Sequence, residues 1–269
     1  MNAVLHHPVR AGLLVVAALL IGFVTYRWVG SAVHPVSAAA ALDRFHSQST
    51  AAGASAPFEP SPGVYMYTGA GTEHVSVPPK TLSDGPAMPG TLTRQADGCW
   101  TIRIDFSDAH WESSSFCRSG GGLMQTARQG WMKWDFVAVV VDDTSTYTCE
   151  PPETAVAADV TVGRSDPYSC RGANDHLNTG QVVMSGTTQV IGIDQLSVGG
   201  EAVDAVHVRE TATFSGGQTG THTSDLWYAP TGLPVRVNWS EVVHSPSPLG
   251  TATMTGSGQY HLTSMVPKT

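Results

Sequence analysis

From Gly63 onward, apolar and polar residues alternate with a period of two, and turn-forming residues recur about every 8–12 positions. In Trp100–Phe106 one face carries Trp, Ile, Ile and Phe, while the other carries Thr, Arg and Asp. Four further segments of this kind predict consecutive strands: Val203–Phe214, Thr221–Ala229, Val235–His244 and Thr251–Leu262. The pattern predicts an all-β fold, an antiparallel meander that forms a curved sheet, half-barrel or sandwich.

A faint internal repeat suggests that this β region has two units. Ser114–Thr126 aligns without gaps to Ser224–Arg236, and a strand ending in Phe precedes each segment. Few aligned positions are identical, so chance remains an alternative. If the repeat is real, units 63–149 and 181–265 pack as halves of one sandwich or curved barrel.

The N-terminus contains an uncharged apolar run, Ala11–Tyr26. A bilayer span needs about 17–25 apolar residues and a signal-peptide core about 7–15, so this run of sixteen residues falls between a retained anchor and a cleaved signal. The flanking Trp28 suits a membrane interface and Arg27 can reach the headgroups, which favours the anchor. We therefore predict a transmembrane signal-anchor helix over residues 11–33, after a cytoplasmic stub of residues 1–10.

Residues 34–62 are rich in Ala, Ser and Pro and predict a tether. The β domain then spans residues 63–269. This arrangement predicts a single-pass cell-membrane protein whose C-terminal domain lies outside the cytoplasm.

Four cysteines, Cys99, Cys117, Cys149 and Cys170, all follow the export segment. An even number of cysteines in this position indicates disulfides in an oxidising compartment, and no C-x2-C zinc spacing occurs. Four cysteines allow three pairings. We favour the local pairs Cys99–Cys117 and Cys149–Cys170, with free buried thiols as the alternative.

The charge balance removes one class of partner. The formal net charge is -8, and charged residues make up 13% of the chain. A nucleic-acid-binding protein needs a basic patch to neutralise phosphates, so no nucleic-acid partner is expected. The remaining partners are the membrane, a lipid or other apolar ligand, and another envelope protein.

Motifs for catalysis and metal binding are absent from the sequence. There is no nucleophile elbow, P-loop, H-E-x-x-H motif or EF-hand loop. The histidines beyond residue 34 show no metal-ligand spacing, and His207 fits a half-buried strand position better than a catalytic base. The sequence thus predicts no cofactor and no metal site, and it favours a non-enzymatic protein over an enzyme.

The tryptophans carry more information than the histidines. Six of them fall in predicted strands, Trp111 among them, and the other five are our candidate ligand-binding residues: Trp100, Trp131, Trp134, Trp227 and Trp239. They either pack a core between sheets or line an apolar pocket. Both interpretations place them inside the domain.

The segment DLWYAPTGLPVRVNW (Asp225–Trp239) resembles a hairpin of lipoprotein-carrier domains with the LolA-like fold, and Val198–Arg209 resembles the strand before it. This resemblance implies an apolar cavity on a half-barrel face that holds acyl chains. The chain departs from the carriers in lacking a lipobox and in having two predicted disulfides. Its composition and cysteine pattern also resemble anchored or secreted actinobacterial domains of unknown function.

Three functions follow as hypotheses. The first is a membrane-anchored envelope domain that binds a lipid or other apolar ligand. The second is a non-enzymatic structural or interaction module of the envelope. The third is an envelope hydrolase, for which the sequence offers no nucleophile context.

Overall fold

The computed structural model describes residues 33–48, 59–95, 98–136, 139–176, 180–247 and 250–269. These residues contain a helix, α1 (Ala38–Gln48), followed by strands only. The strands are β1 (Gly63–Ser76), β2 (Pro79–Asp84), β3 (Ala87–Arg94), β4 (Trp100–Ser107), β5 (His110–Ser119), β6 (Gly122–Asp135), β7 (Val140–Val156), β8 (Ser165–Asn174), β9 (Val182–Val198), β10 (Glu201–Gly216), β11 (Thr219–Tyr228), β12 (Pro234–Ser247) and β13 (Gly250–Leu262).

The strands form one antiparallel sheet that closes on itself. Neighbours in the sheet follow chain order from β3 to β13, and β1 pairs with both β3 and β13. β3 pairs with the first half of β1 and β2 with its second half, so β2 and β3 share one position in the ring. The result is a closed barrel of 12 strands.

This closure corrects the predicted fold. A half-barrel keeps free edges and a sandwich has two packed sheets, but the β1–β13 pairing joins all strands in one ring. The four predicted C-terminal strands are present as β10 to β13. The proposed units 63–149 and 181–265 contribute to the same continuous sheet. Local alternation could not reveal the closure, because it depends on pairing the first strand with the last.

The helix α1 packs on the outside of the barrel, within the segment predicted as a tether. Ala41 and Phe45 lie one turn apart on its buried face and contact Val64 of β1. Arg44 bonds to Asp105 of β4 at 2.5 Å. Part of the segment 34–62 is therefore fixed against the barrel wall.

No helix among the described residues is long and apolar enough to cross a membrane. The predicted span 11–33 lies outside the described residues except for Val33. The transmembrane helix of the predicted fold therefore has no support from the structure.

Both predicted disulfides are confirmed. Cys99 is bonded to Cys117, next to the start of β4 and within β5. Cys149 is bonded to Cys170, and the two residues are direct partners in the β7–β8 pairing.

The two ends of the barrel differ. In the closed half, near the β11–β12 turn, buried apolar side chains such as Trp100, Leu123 and Leu233 fill the interior. In the open half, the tips of the β1–β2, β6–β7 and β12–β13 hairpins surround a cavity. This division positions the candidate site.

Candidate functional site

The interior of the open half is a cavity of about 620 Å³. Strands from around the ring contribute to its walls because every second residue of each strand points inward. Most of its lining is apolar, including Ile102, Ile104, Phe116, Met132, Trp134, Phe136, Val141, Leu226, Val237, Trp239, Val243 and Met254. We call this cavity the lumen.

A second pocket of about 550 Å³ is lined by residues of β1, β9, β12 and β13, among them Arg236 and His261. Its lining includes no carboxylate. The lumen combines an apolar wall with convergent titratable groups, so it is the stronger candidate for a functional site.

The five predicted tryptophans separate into four environments. Trp134 and Trp239 line the lumen. Trp100 lies in the packed core of the closed half. Trp131 borders the lumen, but its ring stacks on Trp111, a residue outside the lumen lining.

Trp227 lies on the face of β11 opposite the lumen-lining Leu226 and Tyr228. Its ring stacks on His207 with centroids 4.1 Å apart, and its indole N–H donates to Asp194. His207 also bonds to Asp225 at 2.9 Å. Trp227 and His207 therefore belong to a polar-aromatic cluster on the outer face of the barrel.

Between the closed core and the mouth, titratable side chains from eight strands point into the barrel. We call them the polar layer: Glu73, Asp84, His110, Glu112, Arg128, Glu153, Glu210, His222 and Glu241. Six are carboxylates, against one arginine and two histidines. The layer therefore has an excess of acidic groups and favours hydrogen-bond donors or positive charge.

Arg128 crosses the interior from β6 and holds one side of the layer together. Its guanidinium lies 2.6 Å from Glu153 of β7 and 2.7 Å from Glu210 of β10. Tyr168 donates a further bond to Glu210, and Thr188 donates to Glu153 at 2.9 Å. Although burial opposes ionisation, Arg128 outweighs it and lowers the pKa of Glu210.

On the other side of the layer, Asp84 of β2 lies 3.1 Å from Nδ1 of His110, at the start of β5. Glu73 of β1 is 1% exposed and belongs to the same group of side chains. Burial, followed by the fields of Glu241, Asp84 and Glu112, raises the pKa of Glu73 to about 10.

Glu112 and His222 connect the two sides. The Glu112 side chain is 62% accessible although it points into the barrel, because it faces the lumen. His222 lies 3.3 Å from Glu241. Burial opposes the charge on His222, but the bond to Glu241 and the field of Glu210 raise its pKa.

Sequence reasoning missed the polar layer. Its members sit at positions where the strand alternation places apolar side chains, as with Glu210 between Val208 and Ala212 on the inner face of β10. A charged residue at an inward position is the signal that could have revealed a lumen. From one sequence that signal cannot be separated from a shift of the strand's register.

No protein family and no curated protein matches the sequence. Two solved structures are similar. A candidate lipoprotein from Parabacteroides distasonis has 12% identity and a TM-score of 0.36, with 77% of this chain and 97% of that chain covered. The hypothetical lipoprotein YmcC from Escherichia coli has 10% identity and a TM-score of 0.31, with 71% of this chain and 86% of that chain covered. Likeness at this level supports no argument about function.

Proposed function

We propose that the barrel binds one apolar or amphiphilic molecule of the lipid class in its lumen, as an extracytoplasmic domain of the cell envelope. The observation behind this proposal is the apolar cavity of about 620 Å³ that extends inward from one end of the barrel. Ligand pockets typically enclose about 300–1,000 Å³ and combine apolar walls with a few convergent polar groups. The lumen has both features.

The polar layer supports an orientation for the ligand. An apolar chain would lie against Trp134, Trp239 and their aliphatic neighbours, while a polar head would meet Glu112 and the other groups of the layer. Because carboxylates outnumber basic groups there, a neutral or amine-bearing head suits the layer better than an acidic one.

The two disulfides support the compartment. Disulfides persist in oxidising environments and are rare in the cytosol. Thiol labelling of the protein in intact cells should leave the cysteines unmodified until a reductant is added. Rapid labelling of Cys149 and Cys170 without reductant would contradict an extracytoplasmic location.

The binding test compares two glycines on long strands. A side chain at Gly130 of β6 would point into the lumen, where the nearest atom to an added Cβ is Glu112 Cγ at 3.9 Å. A Cβ at Gly192 of β9 would meet nothing within 4 Å, and Gly192 does not line the lumen. Gly130→Trp should therefore fill the lumen, and Gly192→Trp is its control.

The probe is N-phenyl-1-naphthylamine, a neutral apolar fluorophore, added to the full-length protein. We expect saturable binding to the wild type and to Gly192→Trp, and at least tenfold weaker binding to Gly130→Trp. A fatty amine should displace the probe better than a fatty acid of equal chain length. Equal probe binding by Gly130→Trp and wild type, with native circular dichroism in both, would contradict a lumen site.

One observation favours an interaction module instead. Val77, Val139 and Val140, at the hairpin tips around the mouth, are 36%, 53% and 43% exposed. Exposed apolar residues at one place can mark a contact with another protein. This function becomes the better account if no apolar probe binds the wild-type lumen.

A further inference from the structure

We infer that Glu73, Asp84 and His110 bind a divalent transition-metal ion of the zinc type inside the barrel. The sequence shows no metal-ligand spacing, because the three residues come from β1, β2 and β5 and are brought together by the folded sheet. This inference goes beyond the proposed lipid binding and does not depend on it.

The distances fit a small coordination site. Each of the three residues offers one ligand atom, and these atoms lie within 4.8 Å of one another. Asp84 Oδ2 and His110 Nδ1 are 3.1 Å apart. Two ligand atoms at about 2.1 Å from a tetrahedral zinc ion are about 3.4 Å apart, so this pair needs little movement. The Glu73 carboxylate then has to approach by rotation of its side chain.

Two buried oxygens lack the partner that an ion would supply. Glu73 Oε2 and Asp84 Oδ1 are shielded from solvent and accept no hydrogen bond. Glu73 is 1% exposed and Asp84 is 7% exposed. A buried carboxylate without a partner is costly, and such oxygens in native proteins usually contact a donor or an ion.

His110 has a carboxylate near each of its two ring nitrogens. When one ring nitrogen of a histidine binds metal, the other usually donates its proton to a carboxylate or carbonyl. Nε2 of His110 faces Glu112 Oε1 at 3.9 Å. This distance is too long for a hydrogen bond, so Glu112 has to move closer before it can accept the Nε2 proton and orient the imidazole. Glu112 also connects the site to the lumen.

The donor types select the metal. One imidazole and two carboxylates suit Zn²⁺ and related transition-metal ions, whereas Ca²⁺ prefers six to eight oxygens and Mg²⁺ keeps several waters. A second group, Cys149, Glu153 and Cys170, also brings ligand atoms together. Its cysteines form a disulfide, so their sulfurs are not thiolate ligands.

The first test measures zinc content. Full-length protein is treated with EDTA, dialysed against a defined free Zn²⁺ concentration and analysed by mass spectrometry for metal per chain. Because the chain has 11 histidines, the result is scored as a difference between variants. Wild type should bind one more zinc per chain than His110→Gln or Asp84→Asn. His207→Gln, on the outer face, should bind as wild type does.

The second test uses Glu73→Gln, which keeps the shape and removes the charge. Without metal, this variant should have an unfolding midpoint no lower than that of wild type, because Gln keeps the shape of Glu73 and brings no charge to bury. Added Zn²⁺ should raise the midpoint of wild type and leave that of Glu73→Gln unchanged. A Glu73 with only a structural role would shift the midpoint equally with and without Zn²⁺.

Three results would overturn the inference. Zinc content could be the same in wild type, His110→Gln and Asp84→Asn. Zn²⁺ could raise the midpoints of wild type and Glu73→Gln equally. Excess Ca²⁺ could displace the bound Zn²⁺, which would show a site without transition-metal preference.

Discussion

The closed and open halves of the barrel are built from the same strands but fill their interiors differently. In the closed half, buried apolar side chains such as Trp100, Leu123 and Leu233 pack together and fill the interior. In the open half, inward positions carry Glu112, Arg128 and Glu241, and a cavity remains above them. Alternation decides which residues point inward, whereas the size and polarity of those residues decide whether the interior is solid or hollow.

The polar layer is the boundary between these halves. Its buried charges must be paired inside the protein or they destabilise the fold. The layer therefore forms the floor of the lumen, and the stability of the fold is sensitive to substitutions in it. The closed half has no such dependence, because apolar packing tolerates modest changes in shape better than a buried ion pair tolerates the loss of one partner. The predictions below test this difference.

Arg128→Met should have the largest effect. It leaves Glu153 and Glu210 buried without their shared cation, and breaking a buried pair typically costs about 3–5 kcal/mol. Arg209→Met is the control, because Arg209 is half-exposed and pairs with Asp225 on the outer face. That change should cost about 1 kcal/mol or less. Guanidinium unfolding with the disulfides intact would measure both, and equal losses would contradict a structural role for the layer.

Removing either disulfide should cost roughly 3 kcal/mol, since the two bonds close loops of similar length. Cys99 and Cys117 are separated by 18 positions, and Cys149 and Cys170 by 21. The double variants Cys99→Ala/Cys117→Ala and Cys149→Ala/Cys170→Ala should therefore lower the free energy of unfolding by similar amounts. If only one double variant is destabilised, the loop-length account does not describe this barrel.

Gly232→Val should destabilise the closed half by about 1–3 kcal/mol. Gly232 has a φ of +87°, and an added Cβ would lie 3.1 Å from both Leu123 Cδ1 and Trp100 Cζ2. Gly250→Val is the comparison in the open half, where φ is +110° but no atom lies within 4 Å of the new Cβ. If Gly250→Val lowers the free energy of unfolding as much as Gly232→Val does, the contacts of the new side chain with the closed core do not add to the destabilisation.

The smallest effect should be a pH dependence from His222. Its pKa is raised in the folded protein, so its favourable interaction with Glu241 and Glu210 is fully present below about pH 6.5 and is lost as the pH rises through the raised value. Arg128, also nearby, opposes the shift. The stability difference between wild type and His222→Gln should be about 1 kcal/mol or less and larger at about pH 6 than at about pH 8. If the stability difference between wild type and His222→Gln instead grows as the pH rises, the interaction proposed for His222 is contradicted.

The sequence predicted the strands of the C-terminal meander and the two disulfides because these features are local. Inward and outward residues alternate along β10 to β13, and Cys149 lies directly opposite Cys170 in adjacent strands. Gly232, in the turn between Pro230 and Pro234, has a positive φ, a conformation that glycine adopts readily.

Closure of the barrel and assembly of the site were not predictable in the same way. Glu73, Asp84 and His110 belong to three different strands, and their side chains come together only in the folded sheet. Trp227 and Trp239 both occupy predicted strands, yet Trp239 lines the lumen and Trp227 lies on the outer face. The β11–β12 pairing also shifts its register directly after Trp227. Residue type alone could not distinguish a lumen tryptophan from an outer one.

The most direct test of a hollow open half is quenching of tryptophan fluorescence by a bromine-labelled fatty alcohol bound to the full-length protein. The account predicts that Trp134 and Trp239, which line the lumen, are quenched, whereas Trp100 in the closed core is not. Trp134→Phe should then reduce the quenched fraction and Trp100→Phe should leave the quenched signal intact. Quenching that is lost in Trp100→Phe and kept in Trp134→Phe would contradict the assignment of the lumen as the ligand site.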